Sequence, residues 1–104
     1  MVHDPLIPEF PFEWDPAKAR SNLAKHRVSF HEAQTVFADP GSLTVYDERH
    51  AEHEDRYFIL GLSATGRLLA VAFAEWGKGL RIISARVATR QERSQYARAN
   101  PSQG

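Results

Sequence analysis

The chain has 104 residues, 42% hydrophobic and 25% charged, with a formal net charge of zero. That length and balance suit one globular domain with a single modest core and argue against disordered or fibrous classes. The absence of cysteine excludes disulfides, thiolate zinc sites and a cysteine nucleophile.

No apolar run is long enough for a membrane span; the longest, Leu68 to Ala74, is strand-length. The stretch Met1 to Pro11 is interrupted by three prolines and lacks the charged-then-apolar layout of a secretory signal, so a cytoplasmic protein is expected. Residues 1–9 read as a flexible lead-in, 10–98 as one domain and 99–104 as a disordered tail.

Phe10 to Trp14 reads as a short first strand. Asp15-Pro16 starts a helix, with Asp15 placed to cap and proline at the first helical position, where a missing N–H costs nothing. That helix runs to about His26, with Ala19 and Leu23 on one face and Lys18, Asn22, Lys25 and His26 marking a polar stripe. Ser29-Phe30-His31-Glu32 is a capping box that opens a second helix. Phe30, Ala33, Val36 and Phe37 form its apolar face, and Asp39-Pro40-Gly41 ends it.

The chain then turns to β character. Ser42 to Tyr46, Arg56 to Leu62, Arg67 to Trp76 and Leu80 to Val87 are strand-like, the last two joined by the turn Gly77-Lys78-Gly79. Thr89-Arg90-Gln91-Glu92 is another capping box and opens a last helix to about Arg98. This helix is so polar that only Tyr96 and Ala97 can dock it, and loose attachment is expected. The order β-α-α-β-β-β-β-α segregates helices from strands, so the class is α+β. The expected architecture is a small antiparallel β-sheet with both early helices on one face.

The zero net charge hides an uneven distribution. From Arg81 to Arg98 there are five arginines against one acid, and from Asp47 to Asp55 five acids against one base. Local patches of this kind attract phosphate. Strand alternation places Arg56 with Phe58, Leu60 and Leu62 on one face, and Arg86 with Leu80, Ile82 and Ser84 on another. A guanidinium on an apolar face needs an anion. Either Glu54 or Asp55 could supply it, or a phosphate could. Two such arginines at strand ends, beside the helix start at Thr89, suggest a phosphate site. Lys25-His26 sits at a helix C-terminus, where a cation is favoured, so His26 reads either as a helix-end cap or as an acid or phosphate contact. His50 and His53 have zinc-like spacing with Glu52 between them, but they fall in a polar link without a third ligand. No metal and no cofactor are expected.

In order and spacing, several segments resemble the BrnT family. They are Phe12-Glu13-Trp14-Asp15, Asn22-Leu23-Ala24-Lys25-His26, Val28-Ser29-Phe30 with Glu32-Ala33, and Phe37-Ala38-Asp39-Pro40. Glu54-Asp55-Arg56-Tyr57, Gly66-Arg67-Leu68-Leu69 and Arg81-Ile82-Ile83-Ser84-Ala85-Arg86 continue the match, followed by Ala88-Thr89, Glu92-Arg93 and Tyr96. The resemblance implies a RelE-like fold and a bacterial toxin that cleaves RNA and so inhibits translation and growth. It also implies a cognate BrnA-like antitoxin that neutralises the toxin in a hetero-oligomer and contacts operator DNA itself. Under that reading cleavage is metal-independent, through attack of the ribose 2′-OH on phosphorus.

Arg56 and Arg86 are then the candidates for stabilising the phosphate, with Lys25, Arg67 and Arg81 as further substrate contacts. His26 is the first candidate for proton transfer, and Glu92 and Tyr96 follow. The competing class is a non-catalytic module that pairs with an antitoxin or DNA through the same basic surface. Relatives usually carry glycine where this chain has Arg27, and basic or polar residues where it has Trp76 and Val87. An arginine at position 27 either bears a strain cost or ends the helix differently.

Overall fold

The computed structural model of the chain describes residues 11–48 and 55–101. The elements are β1 (Phe12–Glu13), α1 (Pro16–His26), α2 (Phe30–Thr35), a 3-10 turn (Val36–Ala38), β2 (Leu43–Tyr46), β3 (Arg56–Leu62), β4 (Leu68–Trp76), β5 (Gly79–Val87) and α3 (Arg90–Ala99). This is the α+β order expected from the sequence. The sheet runs β1-β5-β4-β3-β2, and β2 to β5 form an antiparallel meander.

The sheet is mixed rather than wholly antiparallel. β1 is shorter than expected and runs parallel to β5, pairing Phe12 with Leu80 and Glu13 with Arg81. A parallel pair needs a long crossover, and here the two helices and the meander supply it. Gly79 lets the strands close, because a Cβ there would lie 1.9 Å from the Pro11 carbonyl oxygen.

Each helix starts where its capping signal predicts. The Asp15 side chain accepts from the Ala17 N–H at 2.9 Å, and Ser29 Oγ from the Glu32 N–H at 3.0 Å. The docking of α1 differs from the expected apolar face. Leu23 is 49% exposed, whereas Asn22, expected on a polar stripe, is buried. Asn22 Nδ2 donates to the carbonyls of Val28 (2.9 Å) and Ala85 (2.8 Å), and Oδ1 accepts from the Ala85 N–H at 3.1 Å. The amide thus stands in for a neighbouring strand on β5 beyond its short pairing with β1. Leaving that peptide buried and unpaired would cost about 1–3 kcal/mol per group. At the end of α1, Arg27 adopts the left-handed conformation (φ 59°, ψ 31°), and its N–H donates to Leu23. The helix therefore ends through the left-handed backbone that glycine takes most easily, with an arginine bearing it.

Two clusters cover the two faces of the sheet. On one, Val28, Phe30, Ala33 and Val36 pack on Ile59, Leu69, Val71, Phe73, Ile82 and Ala85, with Phe37 and Trp14 against them. On the other, Leu60, Leu68, Ala70 and Ala88 gather around Tyr96 of α3.

A bulge in β5 decides which face each arginine takes. Ala72 pairs with Ser84 and Phe73 with Ile82, so Ile83 is an extra residue. An extra residue inverts the alternation. Leu80 and Ile82 therefore join the helix-covered cluster instead of sharing a face with Arg86, as simple alternation had implied. Beyond the bulge Arg86 lies opposite Ala70, and before it Arg81 lies opposite Ala74, both on the α3 face.

α3 is capped at its start and tied to the rest of the fold at two points near its end. Its capping box at Thr89 and Glu92 is complete. The buried Tyr96 donates its hydroxyl proton to Asp39 Oδ2 at 2.8 Å. Asn100, in the stretch expected to be a disordered tail, donates to the Gly41 carbonyl at 3.0 Å. Ala97, expected to dock the helix, is exposed.

Candidate functional site

Between α3 and the sheet lies an open groove of about 830 Å³. Its floor is Leu43, Val45, Phe58, Leu60 and Ala70, and its rim is Arg86 with Glu92, Gln95 and Arg98 of α3. The floor is apolar because these strand residues face away from the early helices. The rim is polar because α3 contributes little but charged and amide side chains.

Arg86 and Glu92 meet in a two-point ion pair, Nη1 to Oε1 at 2.7 Å and Nη2 to Oε2 at 3.0 Å. Glu92 Oε1 also accepts from the Thr89 N–H at 2.9 Å. Its carboxyl is lowered to about 2, chiefly by the Arg86 guanidinium, with the Thr89 N–H also favouring the anion against partial burial. In return, Glu92 raises Arg86. The two side chains are 38% and 25% exposed, so a ligand in the groove can reach them. An anion offered to Arg86 would compete with Glu92 for a guanidinium already oriented by the rigid strand.

Arg56 shares this face but not this spot. It lies opposite Ala74, and Leu60 opposite Ala70. Ala70 and Ala74 are four strand residues, or about 13 Å, apart. Arg81, on the other side of Ala74, stands over the Trp76 ring with its guanidinium carbon 4.5 Å from the centroid. The face therefore carries two cationic stations, Arg86 at one and Arg56 with Arg81 at the other.

The remaining candidates are distributed around them. His26 follows Asn22 by one helical turn, and Asn22 grips the outer edge of β5 at Ala85. His26 and the exposed Lys25 thus lie along that edge, on the helix side of the sheet, with His26 half-buried. Among the described residues no hydrogen bond joins His26 to Arg86 or Glu92. Tyr96 is spent on α3 docking; burial and the Asp39 carboxylate push its hydroxyl up to about 12. Arg67 belongs to another constellation. Its Nε donates to Glu32 Oε2 at 3.0 Å and its Nη2 to the Arg27 carbonyl at 3.0 Å. Ser63 and Thr65 hydroxyls donate to the same Glu32 oxygen at 2.7 and 2.6 Å.

The sequence reading missed Asp39. One oxygen accepts from the Gly41 N–H at 2.8 Å, and the other accepts both the Leu62 N–H and the Tyr96 hydroxyl, each at 2.8 Å. Only the Asp39-Pro40-Gly41 turn signal hinted at a special role. The pairing of Arg86 with Glu92 was also unforeseen. Glu54, weighed as a partner for the strand-end arginines, lies outside the described residues, as do His50 and His53. Among the described residues no cluster of three or more metal-ligating side chains occurs, and no helix is long and apolar enough to cross a membrane.

A family model described as the ribonuclease toxin BrnT of type II toxin–antitoxin systems matches residues 14–92. Among solved structures, the chain is similar to the crystal structure of the Brucella abortus ribonuclease toxin BrnT. The two are 26% identical with a TM-score of 0.59, and the match covers 76% of this chain and 96% of that one. A search of curated proteins finds no match.

Proposed function

The chain belongs to the BrnT family of ribonuclease toxins of type II toxin–antitoxin systems, and from that premise we propose that it cleaves RNA without a metal, at Arg86. The observation that carries the reading is the two-point Arg86–Glu92 pair at the rim of an open groove, on a strand that holds the guanidinium in place.

A phosphodiester entering the groove takes the place of Glu92 on Arg86. The RNA 2′-OH gives up its proton to a base, and the 2′-oxygen bonds to phosphorus. The P–O5′ bond then breaks, and an acid protonates the departing oxygen. Phosphate charge is greatest in the transition state, where a preorganised guanidinium contributes most. Glu92, once released, loses the cause that holds its carboxyl low and becomes able to accept a proton. His26, at the β5 edge, is the candidate acid. Arg56 and Arg81 hold the neighbouring phosphates, and Lys25 adds charge along the edge. A BrnA-like antitoxin neutralises the toxin by covering this face, and operator DNA is contacted only by that antitoxin.

The apolar floor of the groove favours a second reading, in which the face only docks a protein partner and cleaves nothing. One experiment separates the two. Purified protein is incubated with RNA and with DNA of the same sequence in excess EDTA. RNA fragments ending in a 2′,3′-cyclic phosphate, with DNA intact, are expected. Activity that disappears with chelator and returns with zinc or magnesium sinks the metal-independent mechanism. Intact RNA from a protein that still binds its partner leaves the docking module.

A further inference from the structure

Trp76 ends β4 on the α3 face with 45% of its surface exposed. An indole exposed at a strand end offers a rigid aromatic face with a polar N–H at its edge. Its partner in the β4–β5 ladder is Gly79, which has no side chain to lean on it. Arg81 sits over the ring instead, 4.5 Å from its centroid. Arg56 flanks the same end of β4 from the other side, opposite Ala74. Glu13 is the register partner of Arg81 on β1, but the two form no ion pair within 4 Å. An aromatic ring backed by one guanidinium, with a second arginine across β4, is a surface for a base with phosphates attached.

We propose that Trp76 and Arg81 form a stacking platform for a nucleobase of single-stranded RNA, adjacent to the Arg86 site. The inference rests on the ribonuclease reading for the identity of the polymer. The free surface of the indole takes the base, while Arg81 fixes the ring and, with Arg56, draws in the phosphates. From Ala70, opposite Arg86, to Ala74, opposite Arg81, the strand rises about 13 Å. An extended single strand crosses that distance in roughly two nucleotides. The platform therefore acts on a base beyond the scissile step, so it sets length dependence and affinity rather than the chemistry itself.

The test measures binding of 2′-O-methyl oligoribonucleotides, which cannot be cleaved, to the full chain by fluorescence anisotropy. Wild type, Trp76→Ala and Trp76→Phe are compared on a hexamer and a dimer, with thermal melts confirming each fold. Trp76→Ala weakens the hexamer about ten-fold, within the range for loss of one stacked base. It leaves the dimer unchanged, and Trp76→Phe recovers most of the loss. Hexamer affinity unaffected by Trp76→Ala overturns the platform, as does an equal loss on both lengths or a wild type that binds neither. If Trp76→Ala keeps its hexamer affinity but loses the antitoxin, the patch is a protein interface and the inference is also overturned. Trp76-dependent binding by a protein that leaves unmodified RNA uncut supports the platform while removing the ribonuclease reading, so the two failures are distinct.

Discussion

Two stretches of this chain begin from the same motif, a hydroxyl cap with glutamate three residues later, and end in different roles. At Ser29 only half of the capping box forms, because Glu32 turns away from the helix start to meet Arg67, Ser63 and Thr65. At Thr89 the box is complete, and Glu92 accepts from the backbone while also holding Arg86. Each glutamate is lowered to about 2, with an arginine as the largest cause. Their surroundings differ. Glu32 is ringed by donors that tie α2 to the β3–β4 turn, and Arg67 is also held by the Arg27 carbonyl. Glu92 lines an open groove, and among the described residues only Arg86 and the Thr89 N–H of its own helix start donate to it. An ion pair saturated by further bonds staples elements together, whereas one left open on one side can exchange partners.

The largest expected effect breaks that comparison directly. Under the proposed mechanism Arg86→Ala lowers the RNA cleavage rate by about a hundred- to a thousand-fold, the usual loss for one preorganised donor. Its melting temperature should fall less than that of Arg67→Ala, because Glu92, 25% exposed, can turn to water when its partner is removed, whereas Glu32 is 13% exposed. If Arg86→Ala unfolds the domain, Arg86 is a staple as well. Arg67→Ala should do the reverse. It strands a largely covered carboxylate, costs about 2 kcal/mol in urea unfolding, and keeps cleavage per folded molecule.

A smaller effect concerns pH. The lowered glutamates contribute stability that is present above their ordinary value of 4.5 and lost as pH falls through about 2. Arg67→Ala removes the main cause of lowering at Glu32, so its acid-unfolding midpoint, followed by circular dichroism, should move to higher pH. Tyr96 is the opposite case. Its stability is intact below 10 and lost as pH rises through about 12. Tyr96→Phe should cost about 1 kcal/mol at neutral pH and flatten the alkaline limb.

The smallest effect is a gain. Arg27 occupies a left-handed backbone at φ 59°, where a non-glycine residue is strained by about 1 kcal/mol. Arg27→Gly should therefore stabilise the chain by up to about 0.5 kcal/mol, after the entropy that glycine adds to the unfolded state. A lower melting temperature would mean that the arginine side chain has packing that offsets its strain.

Local chemistry was legible in the sequence. Asp15-Pro16, Ser29 and Thr89 mark the helix starts, and Gly77 provides the tight turn at φ 57°. The apolar set Phe30, Ala33 and Val36 does form a core face. What escaped depends on distant partners. Nothing in its local spacing shows that Asn22 completes the peptide of Ala85, sixty-three residues away, or that Arg67 meets Glu32, thirty-five away. The extra residue at Ile83 has no composition signal either, yet it turns Leu80 and Ile82 to the opposite face from Arg86. For the site, Arg86 and Glu92 were each singled out, but as separate candidates. Their pairing needs the turn between β5 and α3, which periodicity does not give.

Under the proposed mechanism Arg86 exchanges Glu92 for an RNA phosphate while Arg67 keeps Glu32. Side-chain guanidinium resonances, followed by NMR during titration with a non-cleavable 2′-O-methyl hexamer, test this directly. The Arg86 signals should shift and saturate with the bound fraction while those of Arg67 stay in place. Movement of Arg67 with Arg86 unchanged would contradict that mechanism.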